Sequence, residues 1–274
     1  MNYDVVVIDN ESSNSNTQFY WNNKASNYKY DICDYEKTRP LYKNVDYVFH
    51  VAAKARIQAT MLDPIETIRT NSLGTITVLQ CSKEANVKRV IYSSTSSAYG
   101  LNQVPNVESQ PDNCLNIYSI SKTNGEKICL NYYEIFNLQT ISLRYFNVYG
   151  DRQPLKGQYA QLIGLFSKQK ENNEPLTIVG DGKQKRDFTH ISDVVNANIL
   201  AATKNIDAKY FGQIFNIGTG KNYSVNEIAK MFSDNTIYIP ERVGEARETL
   251  ADISKAKNIL RWEPKINLID WLQK

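Results

Sequence analysis

The sequence predicts an α/β fold: a doubly wound parallel sheet that lacks its first strand–helix unit, followed by a smaller α+β lobe. Three observations predict it. Up to about residue 150, apolar runs of strand length alternate with stretches of helical periodicity. The first of those runs opens the chain and closes on a carboxylate, Asp9. After Gly150 the texture changes to helices scattered among short strands. Alternation of the first kind implies right-handed crossovers and a parallel sheet covered on both faces.

The elements follow in order. "DVVVI" (residues 4–8) is a buried strand, and "ESSNSNTQFYWNNKASN" is a polar loop. "YKYDI" is a short strand ending near Asp31, and "VDYVFHVAA" is a continuous apolar run of strand length. Over residues 64–84, Ile65, Ile68, Leu73, Ile76 and Leu79 recur at helical spacing. "KRVIYSS" is another buried strand, Ile117–Phe136 a long helix, and "TISLRYF" a strand. Beyond residue 150, helices are expected near 161–170, 193–203, 225–232 and 254–260, among the short strands "LTIV", "QIFNIG" and "TIYIP".

A parallel strand ending in a carboxylate is what a dinucleotide-binding unit uses to hold an adenosine ribose, and there it is the second strand. A first strand, a glycine-rich turn and a pyrophosphate-cradling helix come before it in such a unit. In this sequence residue 1 already opens the second strand. "GDG" at 180–182 and "NIGTG" at 216–220 belong to the second lobe and do not replace the turn. The first strand of such a sheet lies mid-sheet, so its loss leaves two edges facing a gap. Each unpaired buried backbone group costs about 1–3 kcal/mol. The chain must then close the gap, pair that edge with another chain or lose the order of the first lobe; closure is the outcome expected, with "YDVVVID" sliding into the vacant place and Asp9 displaced from any ribose.

Bulk properties narrow the function. The 274 residues are 42% apolar, enough for a sizeable core. A net charge of +3 with no long run of one sign speaks against nucleic acid, as does the scatter of the 18 tyrosines. No apolar run approaches a membrane span, and no basic-then-apolar segment opens the chain. Cys33, Cys81, Cys114 and Cys129 form no close pair, and with only His50 and His190 no metal-binding spacing arises. Reduced thiols and a cytoplasmic location are expected.

The sharpest chemical feature is "YSISK". Its spacing puts Tyr118 and Lys122 on one helix face. An ammonium beside a phenol favours the phenolate and makes a general base usable near neutral pH. Alone the pattern is weak, and a solvated helix face is the better reading of it. Upstream, "VIYSSTSSAYG" runs a buried strand into a hydroxyl cluster, Ser93 to Ser97. Strand C-terminal ends face the ligand crevice of open α/β sheets, although a Ser/Thr turn after a strand is common. Strand-end hydroxyls followed some twenty residues later by Y-x-x-x-K make a much rarer combination than either part.

These stretches occur in order with "FHVAA", with Asp63, Pro64, Asn71, Gly74 and Thr75, and with "RYFNVYGDRQ" and "GDGKQKRDFTHISDV". Together they resemble the extended short-chain dehydrogenase/reductase family, in particular the NAD-dependent nucleotide-sugar epimerases and dehydratases. The resemblance is greatest to UDP-glucose and UDP-N-acetylglucosamine 4-epimerases. It implies a Rossmann-like, NAD-binding domain over residues 1–150, truncated at its start, with part of 186–217 returning to it. It implies a mostly UDP-sugar-binding lobe over 151–274.

The resemblance also assigns residues. It implies that Tyr118 is the catalytic base, that Lys122 tunes it and holds the nicotinamide ribose, and that Thr95 grips the reacting O4. It places Asp9 and Asn10 at the adenosine ribose, Asp31 and Ile32 beside adenine, and Val51, Ala52, Ala53, Asn71, Ser93 and Tyr145 along the cofactor. For the substrate it implies Ser96, Asn147, Gln161, Leu162, the strand residues Leu176, Thr177 and Ile178, then Arg186, Arg242, Glu245 and Thr249. Arginine suits a diphosphate because its planar fork donates two parallel hydrogen bonds.

The implied reaction is 4-epimerisation of a UDP-hexose through a transient 4-keto sugar. Dehydratases that this chain resembles carry an Asp-Glu pair where Ser96 and Ser97 stand, and the decarboxylases carry a glutamate at the position of Ser97. Asn147 resembles the neutral-sugar epimerases more than the uronate epimerases. Thr249 stands at a gate position, and its small side chain favours UDP-GlcNAc/UDP-GalNAc over strict UDP-Glc/UDP-Gal use. Arg56 departs from the small residues expected there; pointing inward, it would shift the preference towards an acidic sugar. Two alternatives stand beside a working epimerase: a catalytically impaired UDP-sugar-binding relative, and an N-terminally truncated fragment of a longer enzyme. A homodimer through the helices around 65–84 and 117–136 is also implied.

Overall fold

The computed structural model describes residues 3–13, 19–155 and 161–273. Residues 14–18 of the expected polar loop lie outside the described residues. Two short strands open the chain, β1 (Val6–Ile8) and β2 (Ser26–Tyr28), paired in parallel with Val6 opposite Ser26. The main sheet is built from β3 (Tyr47–His50), β4 (Arg89–Thr95), β5 (Gln139–Tyr145) and the strand Ile214–Ile217. They lie side by side in that order, all parallel. This is a Rossmann-like sheet. Every residue of β4 is buried, which is why its apolar stretch Val90–Tyr92 is continuous rather than alternating.

Helix Ile117–Phe136 begins and ends where its periodicity predicts. Asn116 and Ser119 form a reciprocal capping box at its start, and Asn137 adopts the left-handed conformation at its end. Gly125 lets this helix approach the sheet: a Cβ there would fall 2.1 Å from the Tyr92 hydroxyl. The helical stretch 64–84 starts at Pro64–Ile68, capped by Asp63, widens over Arg69–Leu73 and continues as Gly74–Glu84. One face of the sheet packs Ile91, Ile141, Leu143 and Phe215 against Trp262. The other packs Val90 and Tyr92 against Leu79, Cys129 and Ile32.

The expected closure of the sheet does not occur. Among the described residues no ladder joins β1 to β3; β1 pairs with β2 in a separate two-stranded sheet. The reason lies in packing. Ile8 sits against the cluster of Ile32, Leu79 and Val90, and Val48 and Ala52 border the same cluster. Sliding β1 into register with β3 would pull β2 along and strip Ile8 from that cluster. The apolar surface beside the gap stays open to solvent instead, with Val6 42% and Phe49 45% exposed. β2 also lies two residues before the expected "YKYDI" strand. Tyr30 N–H already turns back to the Tyr28 carbonyl, and Asp31 sits in a turn closed by Asp34 N–H.

The second lobe rests on Leu176–Val179 paired in parallel with Thr236–Ile239, and on Lys185–Asp187 paired antiparallel with Asn222–Ser224. Phe166, Leu176, Ile178 and Ile228 form its core. The C-terminal segment clamps onto helix Ile191–Thr203, where Asp193 accepts from Trp262 Nε1 at 2.9 Å and from Ile266 N–H at 3.0 Å. Among the described residues, no helix is long and apolar enough to cross a membrane.

Candidate active site

A cleft of about 740 Å³ opens at the C-terminal end of β4 and is lined by both the sheet and the second lobe. Alternation along β4 gives its three hydroxyls different tasks. Ser93 lines the cleft and donates to the Tyr145 hydroxyl at 3.0 Å, which donates in turn to Asn198 Oδ1 at 3.0 Å. Ser94 bonds back to Glu126, which is paired with Arg144 at 2.6 Å. Arg144 also reaches Asp112 at 2.7 Å. This buried group ties helix Ile117–Phe136 to β4 and β5. Thr95 lines the cleft beside Tyr118 and accepts from Ser97 N–H at 3.1 Å.

Tyr118 and Lys122 both face the cleft from one side of the helix. Burial raises the Tyr118 pKa; the Thr95 hydroxyl and the positive charge of Arg56 pull it back. The Lys122 ammonium lies 4.3 Å from the centre of the Tyr92 ring, and burial lowers its pKa to about 8. Arg56, which stands just before helix Ile57–Leu62, lines the same cleft, and its positive charge favours the Tyr118 phenolate.

On the second-lobe side, Asn147 Nδ2 donates to the Asp187 carbonyl at 2.9 Å and approaches Thr249 Oγ1 at 3.4 Å. The buried Asp187 carboxylate accepts from Thr219, Gly220 and Ala251 N–H at 2.8, 3.0 and 3.1 Å, and so fixes the segment that carries Thr249. Burial raises its pKa against the pull of those donors. Ser96, Gln161, Leu162, Asn147, Thr177 and Thr249 all line the cleft. Arg186 and Arg242 approach Glu245 at 3.8 and 4.0 Å, and all three line it too.

Several predicted residues do not reach the cleft. Leu176 and Ile178 point into the second-lobe core, because strand alternation sends Thr177 and Val179 to the cleft instead. Val51 and Ala53 line the cleft, but Ala52 turns to the core cluster under the sheet. Asn71 is buried and ties the loop after β3 to the helix, bonding Lys54 O at 2.9 Å and Ser121 Oγ at 2.8 Å. Asp9, Asn10, Asp31 and Ile32 stand along the β1–β2 strip, outside the cleft. Asp9 and Asn10 accept from Glu11 and Ser12 N–H at 2.6 and 3.1 Å. Asp31 is held by Arg69 at 3.1 Å, and Ile32 is buried.

The sequence reasoning passed over two cleft residues that hold its cover. Asn116 Nδ2 donates to Gly244 O at 2.8 Å, and Gln58 Nε2 to Val243 O at 3.2 Å. Asn116 announces itself in the sequence only as a helix cap, so its second bond across the cleft left no signal.

Comparison with known proteins decides the family. Residues 1–218 match the NAD dependent epimerase/dehydratase family. The chain belongs to this family. A putative UDP-glucose 4-epimerase of Methanocaldococcus jannaschii is 34% identical over 282 residues, covering 100% of this chain and 89% of that protein. The UDP-glucose 4-epimerase of Thermotoga maritima, solved with UDP-glucose, superposes with a TM-score of 0.92 at 34% identity, over 99% of this chain and 89% of that one. A UDP-N-acetylglucosamine 4-epimerase of Methanobrevibacter ruminantium, solved with UDP-N-acetylmuramic acid, superposes at 0.89 with 30% identity, over 98% and 88%.

Against that family the cofactor fit divides in two. The nicotinamide end fits: Lys122 presents a buried ammonium that hydrogen-bonds no side chain among the described residues, beside the Ser93 and Tyr145 hydroxyls and the apolar Val51 and Ala53. Ribose hydroxyls suit such a donor. For the pyrophosphate, the described residues of the epimerase/dehydratase chain offer no glycine-rich turn leading into a helix.

Proposed function

We propose that this protein catalyses NAD-dependent 4-epimerisation of a UDP-hexose, UDP-GlcNAc/UDP-GalNAc or UDP-Glc/UDP-Gal, through a transient 4-keto sugar. The observation that carries this reading is the Thr95–Tyr118 hydroxyl pair in a cleft that also presents Arg186 and Arg242. Tyr118 takes the proton of the sugar 4-hydroxyl. Thr95 donates to the oxygen as negative charge develops on it. NAD, when bound, supplies the hydride acceptor and donor at C4. Lys122, Ser93 and Tyr145 would hold its nicotinamide end, with Val51 and Ala53 alongside. Arg186, Arg242 and Asn147 grip the diphosphate, and Gln161, Leu162 and Thr177 the nucleoside, so that the hexose can turn over on a fixed tether. Residues 1–150 form the cofactor half in this reading, and 151–274 mostly the substrate half.

Ser96 and Ser97 support epimerisation over elimination of water, because neither can serve as the carboxylate acid or base that elimination needs. Exposed Leu73, Ile76 and Ile120 support pairing of two copies through the helical layer. The test is incubation of purified protein with NAD and each UDP-hexose, followed by proton NMR of the sugar. Appearance of the C4 epimer supports the reading; a 4-keto-6-deoxy sugar or a pentose overturns it. A second reading is UDP-sugar binding without turnover, which the arginines Arg186 and Arg242 in the cleft support by themselves. Calorimetric binding with no product would support that one.

A further inference from the structure

We propose that Asn116, with Gln58 beside it, is a positioning residue for the nucleotide: its one side chain both caps the helix that carries Tyr118 and ties down the strap that carries Arg242 and Glu245. This rests on the UDP-sugar reading above. The strap is the stretch 240–246. It leaves the second lobe after Ile239, whose carbonyl accepts from Gly180 N–H at 2.8 Å. It rejoins that lobe at Arg247, whose carbonyl accepts from Lys185 N–H at 3.0 Å and whose side chain pairs with Asp181 at 2.6 Å. Between these anchors the strap crosses to the first lobe, where two amide side chains meet consecutive carbonyls. Gln58 Nε2 donates to Val243 O at 3.2 Å, and Asn116 Nδ2 to Gly244 O at 2.8 Å. Both donors stand at helix starts, Gln58 in the first turn of Ile57–Leu62 and Asn116 as the cap of Ile117–Phe136. Both line the cleft, as do Arg242 and Glu245.

The helix fixes which end of the amide faces the strap. Asn116 Oδ1 accepts from Ser119 N–H at 2.8 Å, the capping bond, so the donor end is left for Gly244. Asn116 is buried, and a hydrogen bond made out of water is electrostatically stronger than one in it. The approach is close. Gly244 has φ +82°, and a Cβ there would fall 3.4 Å from Leu115 O and 3.5 Å from Asn116 Cβ. Glycine takes that backbone without strain. Val243 is 82% exposed, so its side chain adds no apolar anchor to the strap. Arg242 and Glu245 flank Val243 and Gly244 in the chain, so the two bonds set where these side chains enter the cleft. A diphosphate gripped from the strap is thereby held at a fixed place relative to Tyr118. It leaves when the strap lifts from the helix start.

Substitution can separate the two tasks of Asn116. Asn116→Ser and Asn116→Asp both keep a good helix cap and lose the amide donor. The aspartate also sets a carboxylate against the Gly244 carbonyl. Gln58→Met removes the second bond and leaves the cap of the Tyr118 helix untouched. Three measurements are made on wild type and variants: thermal unfolding, hydrogen–deuterium exchange of amides 241–247 in the free protein, and UDP binding by calorimetry and stopped flow. Unfolding midpoints should stay close to wild type while the strap amides exchange faster. UDP affinity should fall ~3–10-fold in Asn116→Ser and Gln58→Met, the scale of one hydrogen bond, and further in Asn116→Asp. The loss should lie in faster dissociation. UDP affinity and dissociation unchanged in both Asn116 variants overturn the inference and leave UDP binding intact. So does a lowered midpoint with strap exchange unchanged, which would assign Asn116 to the helix alone. Failure of the wild type to bind UDP overturns the UDP-sugar reading and the inference with it.

Discussion

β4 and β1 are both parallel strands whose C-terminal ends carry polar side chains, and the chain treats them in opposite ways. β4 is seven residues long, buried at every position and paired on both sides. β1 is three residues long, paired on one side, and half-exposed. Ser93 and Thr95 therefore ride on a strand that cannot shift without breaking two ladders. Asp9 rides on a strip that Ile8 and Ile32 join to the core cluster beneath the sheet. The contrast teaches that the proposed reaction chemistry and the proposed adenosine-side contacts depend on separate parts of the fold. The first can be fully ordered while the second is not tied into the main sheet.

The largest effect that could sharpen this contrast is chemical. Tyr118→Phe removes the proposed base while leaving the aromatic packing. Turnover should fall by about 10²–10⁴, the range for a positioned general base. Calorimetric affinity for UDP should hold, because that tether lies on the second lobe. A loss of UDP binding equal to the loss of turnover would break the comparison, since the Tyr118 wall would then be shaping the whole cleft.

Next is the buried group behind β4. Arg144→Met leaves Glu126 buried without its cation and should cost about 3–5 kcal/mol in denaturant unfolding. Replacing Glu126 as well, by Gln or Met, should recover much of that loss. If the single substitution costs under about 1 kcal/mol, β4 is not the rigid platform that the contrast requires.

A pH effect follows in size. Lys122 gives up its proton at about 8 when folded, against 10.5 as a free side chain. Between those values the unfolded chain binds more protons than the folded one, so stability rises with pH across that window. The slope from this one group reaches at most about 1.4 kcal/mol per pH unit. Below pH 8 the folded protein carries the burden of a buried ammonium. Urea unfolding of wild type and Lys122→Met from pH 7 to 10 checks this; the variant should lose the upward slope. Bound NAD should also flatten it if ribose hydroxyls partner the ammonium.

The same contrast explains what the sequence let us read. The apolar stretches of β3, β4 and β5 announce strands, and those of β4 and β5 are buried because both faces of the sheet are covered there. Helix Ile117–Phe136 was legible to the residue because an Asn cap, a 3.6-residue period and an Asn terminator agree. β2, with the sequence Ser-Asn-Tyr, has no apolar signature, since its pairing is satisfied by backbone alone. The cleft list was legible where one lobe supplies a side chain, as for Thr95, Thr177 and Arg186. It failed where orientation decides, as for Leu176 and Ile178, and where an Asn serves as an internal tie, as Asn71 does. The partner of Lys122 was also hidden. Whether an ammonium meets a phenol four residues away or the Tyr92 ring on a neighbouring strand depends on how helix and sheet dock.

The smallest effect tests the strip itself. Val6→Thr changes a half-exposed residue of a strand whose outer edge has no ladder, so it should move global stability by no more than about 0.5 kcal/mol. Ile91→Thr, in the fully buried β4, puts a hydroxyl among Ile141, Leu143 and Phe215 and should cost several times more. Native-state hydrogen exchange separates the two regions without mutation. Amides of β4 should open only with the whole molecule, and those of β1 and β2 at much lower free energy. If β1 amides instead exchange as slowly as β4 amides, the strip is bound into the same cooperative unit by its contact with Leu79 and Val90, and the two regions fold as one.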